Sequence, residues 1–337
     1  MYKELMEEAS IVYFLQGAPS SKGSELLKEL GYFYVKQGCS IEWFKNPLFE
    51  NEVEAAFVKG PNILYLWTTE WGIEPTLLGT KHRVLSFYDC LEEDQLKSVS
   101  EELATAVKER ELWREKCIAM MEIALKLHDD WEVVTQSCMD WDGLNEQLAD
   151  LKTRLFQSIS LNKKATRTHR ILGTLTPNGA QNTVDSMTRN LDYRLMIKGE
   201  PGTGKSSIMK SVADEANARG LDAQLVWCGM DANSVDMVII PELKLCVFDS
   251  TDPHIFNPEK ERSGDEIFNM GQHCILTETA EQQIEPIFLA YKEAIQNAIG
   301  YAARFAEAEG KLRSLIDQTI SPAAWREKVA PLFQRLT

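Results

Sequence analysis

The sequence has no close cysteine pair and no long hydrophobic run. Its seven cysteines include no C-x-x-C spacing, which argues against a disulfide framework or a zinc site and favours reduced thiols in a cytoplasm. The segment MYKELMEEAS is acidic, and the apolar run after it, Ile11 to Leu15, is too short for a signal sequence or a membrane span. We therefore expect a cytoplasmic protein that does not bind a membrane.

Positive charge is also scarce. The chain has 36 lysine and arginine residues against 51 aspartate and glutamate residues, a net charge of −15. Such a surface repels the phosphates of nucleic acids and anionic lipids, so we expect neither as a partner. The longest basic cluster, Lys163-Lys164 with Arg167, His169 and Arg170, is short, and we interpret it as a linker or domain junction. With 337 residues, 44% of them hydrophobic, the chain is long enough for two domains with a core each.

A glycine-rich loop between a strand and a helix is the most informative motif. The apolar stretch Leu195–Ile197 leads into it, and a helical pattern that Gly220 would terminate follows it. The residues that we assign to nucleotide binding are Gly199, Glu200, Pro201, Gly202, Thr203, Gly204, Lys205, Ser206 and Ser207. Their pattern G-x-x-x-x-G-K-S is that of a P-loop, whose glycines let successive backbone N–H groups surround a β-phosphate. Lys205 would reach the β- and γ-phosphates of ATP, and the Ser206 hydroxyl would ligate Mg²⁺.

An acid beyond the loop completes the expected metal side. Asp249 ends the apolar run that begins at Lys244, and one strand, Ala223–Cys228, lies between this run and the loop helix. In P-loop proteins an acid at the carboxyl end of a buried strand beside the loop orders the water shell of Mg²⁺. We therefore assign Asp249, together with Ser206, to the metal.

Two further segments, 231–243 and 250–254, approach the strand ends where open parallel sheets bind ligands. The candidates in them for positioning water or contacting a substrate are Asp236, Glu242, Asp252 and His254. Alternatively, Asp231 or Ser234 caps a short helix and His254 closes a turn after Pro253. The sequence leaves both interpretations open.

The same succession of elements recurs earlier in the chain. A single ungapped shift that places Ile11–Gly17 on Tyr193–Gly199 also places Ile63–Leu66 on Leu245–Phe248. Residue identity is low, but strand, loop, helix and strand recur at one offset, as an old internal duplication would produce.

The first copy has lost the residues for this chemistry. The replacements at matching positions are Ser20 for Gly202, Lys22 for Gly204, Gly23 for Lys205 and Trp67 for Asp249. Without the glycines, a nest of backbone N–H groups is costly to form. We therefore expect one nucleotide per chain.

Each copy ends in a long amphipathic segment. Apolar residues recur every three or four positions from Trp113 to Cys138 and from Ile284 to Ile316. Such stripes are typical of helices that pack against helices, so we expect the two segments to pack together, with Glu307 and Glu309 in solvent. The predicted fold is α/β, with two P-loop NTPase-like parallel-sheet units, each followed by long helices, in domains 1–165 and 166–337.

Six motifs lie between residues 128 and 270: GEPGTGKS (199–206), NSVDMVIIPEL (233–243), FDSTDPH (248–254), SGDEIFNM (263–270), THRILGTLTPNGA (168–180) and HDDWE (128–132). Together they resemble an uncharacterised bacterial family of tandem P-loop ATPases, sometimes labelled as candidate nucleotide kinases. The resemblance implies an ATP-binding, Mg²⁺-dependent protein with two α/β halves. It makes Lys205, Ser206 and Asp249 the loop lysine, the metal hydroxyl and the metal-side acid. Asp252 departs from the family, which usually has a small residue before Pro-His.

These residues favour an ATPase whose ATP cycle drives a conformational switch. A water positioned by Asp249, Asp252 or His254 would attack the γ-phosphate, while Lys205 and Mg²⁺ hold the developing charge. GTP is disfavoured because no N-K-x-D element follows the loop.

Two alternatives stay open. A kinase would need a mobile cationic lid, which Lys260 and Arg262 could supply; with Glu261 between them, they fit a solvated charge run equally well. A non-hydrolysing scaffold would keep ATP as a structural ligand and bind a protein partner through aromatic residues such as Trp67 and Trp71, which fit a place in the core at least as well.

Overall fold

The computed structural model describes residues 2–68 and 75–334. The chain forms two compact units: unit 1 comprises Met1–Lys116 and Gly300–Thr337, and unit 2 comprises Cys117–Ile299. The boundary predicted between residues 165 and 166 does not coincide with this division, because the division falls inside two long helices.

The elements of unit 1 before the first long helix are α1 (Tyr2–Glu8), β1 (Ile11–Gln16), α2 (Ser21–Val35), β2 (Ser40–Lys45), β3 (Val53–Lys59), β4 (Ile63–Thr68), β5 (His82–Ser86) and α3 (Glu93–Ser98). The long helix α4 (Ser100–Gln136) begins in unit 1 and ends in unit 2.

Unit 2 then contains α5 (Trp141–Phe156), β6 (Arg167–Ile171), β7 (Gly173–Thr176), β8 (Gly179–Asn182), α6 (Val184–Thr188), β9 (Tyr193–Lys198), α7 (Lys205–Ala218), β10 (Ala223–Trp227), β11 (Val235–Ile240), β12 (Leu245–Asp249) and β13 (Asp265–Asn269). The second long helix, α8 (Glu278–Asp317), begins in unit 2 and ends in unit 1, where α9 (Pro322–Gln334) follows.

Each unit contains one mixed sheet, so the chain is an α/β protein. The strand order is β2-β3-β4-β1-β5 in unit 1 and β13-β9-β12-β11-β10-β6 in unit 2. The predicted parallel pairing holds for β1 with β4 and β5 and for β9 with β12 and β13, whereas β3 and β11 run antiparallel to both of their neighbours. The connection from β11 to β12, residues 241–244, is too short for the crossover that a parallel pair requires.

The predicted recurrence is confirmed at the level of strand register. Ile11 pairs with Ile63 in unit 1, and the residues that the shift assigns to them, Tyr193 and Leu245, pair in unit 2. The antiparallel pairs Ala55–Leu66 and Met237–Phe248 are related by the same shift. The two sheets are therefore built from one plan, to which unit 2 adds the edge strand β6.

Irregular backbone recurs as well. The pairing of β2 with β3 shifts between Phe44 and Lys45, and that of β10 with β11 shifts at the matching place, between Val226 and Trp227. Asn62 and Lys244, which also match, both have positive φ, at 54° and 45°. Irregular backbone of this kind costs energy, so its presence at matching positions supports a common origin of the two sheets more strongly than regular strands do.

The last helix of each copy packs against the sheet of the other copy. Helix α9 belongs to unit 1, where Ile320, Val329 and Leu332 join the core of α2 and strands β1 and β4. Helix α5 belongs to unit 2, where Leu144 and Leu151 join the core of α7 and strands β9 to β12. Two antiparallel bridges anchor these helices, Leu91 to Ile320 and Met139 to Cys274.

The long helices α4 and α8 pack together, as predicted. In unit 1 the rings of Trp113 and Tyr301 stack at 5.9 Å, and in unit 2 Trp131 meets Phe288 edge-on at 5.3 Å. The predicted solvation of Glu309 is wrong: only 5% of it is exposed, and the Arg313 Nε–H donates to its carboxylate at 2.7 Å.

The basic cluster is not a free linker. Arg167–Ile171 forms β6, and the Arg167 guanidinium pairs with Asp214 at 2.5 Å, while the Lys163 ammonium pairs with Asp222 at 2.7 Å. These two ion pairs compensate the charges of Arg167 and Lys163 within unit 2. Among the described residues, no helix combines the length and the apolar character that crossing a membrane requires.

Candidate functional site

The glycine-rich loop, residues 199–204, lies between β9 and α7 as predicted. Gly202 and Gly204 have φ values of 85° and 90°, in the left-handed region where a side chain is strained. Gly204 is the N-cap of α7 and offers no side chain to cap it, so the first N–H groups of the helix are left to bind an anion. Glu200 and Ser207 are exposed, and Pro201 is half-buried.

Lys205 folds back over this loop. Its Nζ donates to the carbonyl oxygens of Gly199 at 2.6 Å and Glu200 at 3.0 Å, and it lies 3.6 Å from the Asp249 Oδ2. The buried Thr203 hydroxyl donates to the Glu200 carbonyl at 2.8 Å and closes the loop from inside. An ammonium group held by neutral carbonyls at the mouth of a nest can transfer to a phosphate oxygen without a large rearrangement.

Ser206 and Asp249, the predicted metal residues, are oxygen donors beside the same helix N-terminus. The Val235 N–H donates to the Ser206 Oγ at 2.9 Å, which leaves the second lone pair of this hydroxyl free. The Thr251 N–H donates to the Asp249 Oδ1 at 2.9 Å, and the Oδ2 faces Lys205. A hydroxyl and a carboxylate oxygen are the donor set that Mg²⁺ takes in phosphate sites, so the residues fit this ion.

Asp236 joins the site from the neighbouring strand β11. Only 7% of it is exposed, and burial, reinforced by the charge of Asp249, raises its pKa to about 7. The nearby Lys205 ammonium opposes this shift, so it compensates part of the negative charge of the two carboxyl groups.

The loop after β12 is compact and carries the predicted Asp252 and His254. The Lys198 Nζ donates at 2.6 Å to the carbonyl oxygens of both Ser250 and Phe256, which fixes the two ends of the loop. His254 is mostly buried and lies 3.2 Å from the Asn182 side chain. Burial lowers the pKa of His254, although Asp249 and Asp252 oppose the shift. Asp252 itself is exposed.

The candidate Glu242 and the capping residue Asp231 have structural roles away from the glycine-rich loop. The Glu242 carboxylate accepts from the Asp222 N–H and pairs with Lys163 at 2.6 Å. The Asp231 carboxylate accepts from the Asn233 N–H at 2.8 Å. This bond stabilises a turn, whereas the alternative had Asp231 cap a short helix. The geometry therefore leaves Asp236, Asp252 and His254 as the remaining candidates.

Two residues outside the predicted set border the glycine-rich loop. A Cβ added to Gly202 would lie 2.5 Å from the carbonyl oxygen of Glu132, on α4. A Cβ added to Gly204 would lie 3.1 Å from the Trp141 ring, at the start of α5. Glu132 ends the motif HDDWE, but neither that motif nor the residues around Trp141 indicate a contact with the loop, since both residues reach it from elements that lie well before it in the sequence.

The matching place in unit 1 is filled by its own side chains. The Trp67 indole lies so close to Gly17 and Gly23 that neither position has room for a Cβ, and it also contacts Phe87. The Asp317 carboxylate lies at the N-terminus of α2, where it accepts hydrogen bonds from the hydroxyls of Ser20 and Ser21. An acid from α8 thus takes the position that an anionic ligand would need.

Trp67 is buried, which decides for its place in the core and against an exposed partner-binding surface. Trp71 lies outside the described residues. Arg262 is also occupied: it donates to the Leu191 carbonyl and lies 3.4 Å from the Asp265 carboxylate. An anchored arginine does not suit the mobile lid of a kinase.

No family model matches the chain. The curated proteins give no match, and the solved structures give none either. The resemblance to tandem P-loop ATPases therefore stays a prediction that rests on the motifs.

Proposed function

We propose that unit 2 binds ATP with Mg²⁺ at the glycine-rich loop and hydrolyses it, in the manner of a P-loop NTPase. The observation that carries the proposal is the pair of left-handed glycines, Gly202 and Gly204, directly before Lys205 and Ser206 at the N-terminus of α7 and opposite Asp249. A left-handed nest, a lysine, a hydroxyl and an acid together form an arrangement that a structural turn does not need.

Each residue has a distinct task in this proposal. The N–H groups of residues 202–206 bind the β-phosphate, and Lys205 leaves the loop carbonyls to pair with the β- and γ-phosphates. Ser206 and Asp249 would hold Mg²⁺, which supplies positive charge against the phosphate oxygens. His254, which its lowered pKa keeps neutral at pH 7, can accept a hydrogen bond from the attacking water, and Asp252 stands beside it in the chain.

A conformational output is supported by the contact between the loop and α4. The main chain of Glu132 packs on Gly202, so a phosphate that reshapes the loop acts directly on this helix. The same contact could instead hold ATP as a structural ligand, and this scaffold role differs from the proposal only in the absence of turnover.

The test is phosphate release from ATP by the purified chain. Lys205→Ala should abolish Mg²⁺-dependent release, and Lys22→Ala, at the loop position of unit 1, should leave it unchanged. Release that persists in Lys205→Ala would refute the ATPase proposal. Stoichiometric ATP binding without release would favour the scaffold, and formation of ADP without free phosphate, only when an acceptor metabolite is added, would favour the kinase.

A further inference from the structure

Trp141 is a large aromatic side chain in contact with the glycine-rich loop. The Cζ3 and Cη2 atoms of its indole lie 3.1 and 3.6 Å from where a Cβ of Gly204 would be. Gly204 directly precedes Lys205, so this ring borders the helix end at which the phosphates would bind. The side chain is nevertheless 41% exposed. Leaving an indole in water beside the loop forgoes the stabilisation that burying it would give.

The position of Trp141 is rigidly built. It is the first residue of α5, and Asp140 caps this helix by accepting from the Gly143 N–H at 3.1 Å. The Asp140 N–H donates at 2.7 Å to the His273 carbonyl, in the segment that follows β13. The backbone that carries the indole is thus fixed beside the loop by the two hydrogen bonds of Asp140.

The repeat provides an internal comparison. In unit 1 helix α9 also brings an aromatic ring to the matching place, where Trp325 packs 6.2 Å from Trp67, the side chain that fills it. In unit 2 the residue at the position of Trp67 is Asp249, and Trp141 is left 41% exposed. The ring of unit 1 thus has a side chain to pack on, whereas the ring of unit 2 presents an open face.

We propose that Trp141 is a specificity residue on which the base of the bound nucleotide stacks. This inference rests on the proposed function, because the base can lie there only if the phosphates lie on residues 202–206. A base has an apolar π-face that an exposed indole can cover, and such stacking does not depend on a particular hydrogen-bond pattern. Met270, whose Cε lies 3.8 Å from the Gly204 Cβ position, is fully buried and packs beneath this border. The ligand class is thus a nucleoside triphosphate, in preference to inorganic polyphosphate.

The test compares two ligands that share phosphates and differ in the base. Calorimetry with Mg²⁺ is carried out with ATP and with tripolyphosphate on the full chain. Trp141→Ala should weaken ATP binding about 5- to 100-fold, the effect of removing one stacking aromatic, and leave tripolyphosphate binding unchanged. Trp141→Phe, which keeps a ring, should weaken ATP binding less. Tyr88→Ala, which removes a 52% exposed ring in unit 1, should change neither affinity.

The outcomes separate the inference from the proposed function. If Trp141→Ala binds ATP as tightly as the wild type, or loses ATP and tripolyphosphate equally, the stacking role is refuted while the phosphate site stands. If the wild type binds neither ligand, the proposed function and the stacking role both fall. Unchanged tripolyphosphate binding also shows that the Ala variant is folded.

Discussion

At the residue scale, Ser206 combines two roles that the repeat allows to be separated. In unit 2 the Val235 N–H donates to the Ser206 Oγ at 2.9 Å, and in unit 1 the Val53 N–H donates to the Ser24 Oγ at the same distance. Ser24 keeps the structural bond although its loop has lost the glycines and the acid. The hydroxyl therefore ties the loop helix to the neighbouring strand before any ligand is considered.

Removing each hydroxyl should distinguish the roles. Ser24→Ala and Ser206→Ala should each lower the free energy of unfolding by about 1–3 kcal/mol, because each leaves a strand N–H without its partner. Only Ser206→Ala should also lower Mg²⁺-dependent ATPase activity. Denaturant unfolding and phosphate release measure the two effects, and equal activity loss in both variants would contradict the separation.

Asp236 should make stability depend on pH. Its pKa of about 7 in the folded chain exceeds that of an unfolded aspartate, about 3.9, so the folded state binds the extra proton between these values. The resulting stabilisation is complete below about pH 4 and is lost as the pH rises through about 7, with a slope of up to about 1.4 kcal/mol per pH unit.

The matched variants are Asp236→Asn, which imitates the protonated form, and Asp185→Asn, at an exposed position. In buffer without Mg²⁺ and nucleotide, urea unfolding from pH 4.5 to 7.5 should show the slope in the wild type and in Asp185→Asn and a flatter profile in Asp236→Asn. Parallel profiles for all three proteins would exclude Asp236 as the source.

The residues of the loop could be predicted because their chemistry is local. Lys205, Ser206 and Asp249 come together as the motif spacing requires. Trp141 and Glu132 could not be predicted in the same way, since their approach to the loop depends on how α4 and α5 pack in three dimensions. The burial of Trp67 could likewise not be predicted, because an aromatic residue at the end of a strand can lie on an exposed surface or pack into the core.

At the element scale, periodicity predicted the helices well. Apolar stripes correctly indicated α4, α8 and their pairing. Glu309 is buried, against the prediction, because Arg313 and Arg110 compensate the charge of its carboxylate. The apolar stripe alone does not show such partners. A polar residue inside a stripe is thus a poor sign of solvent exposure when arginines lie within reach.

The direction of strand β11, in contrast, could not be predicted from its residues. Its residues, VDMVII, are buried on both faces, so the alternation that marks a half-exposed strand is missing. Its direction follows from the short connection to β12 and not from its composition. Composition therefore indicated an α/β chain but not the mixed character of the sheets.

At the scale of the whole molecule, the exchange of terminal helices decides which pieces can fold. The amphipathic patterns of α5 and α9 show that each covers an apolar surface, but they do not show which one. Because α9 completes the core of unit 1 and α5 that of unit 2, cutting the chain at residue 165 leaves the first piece without α9 and the second without α5.

Fragments should respond accordingly. Residues 1–165 and 166–337, produced separately, should each lack a cooperative unfolding transition, since each exposes an uncovered sheet. Residues 117–299, which form unit 2 without interruption, should unfold cooperatively. Circular dichroism during thermal unfolding measures this, and cooperative folding of either half cut at 165 would contradict the helix exchange.

The bond between Ser20 and Asp317 joins residues 297 positions apart. A ribosome adds residues in order, so unit 2 can complete its core while the rest of α8 and α9 are still being synthesised. The sheet of unit 1, although made first, must wait for nearly the last residues before its surface is covered. During synthesis the sheet of unit 1 thus leaves its apolar surface uncovered for longest, and we expect it to be the part that most needs protection by chaperones.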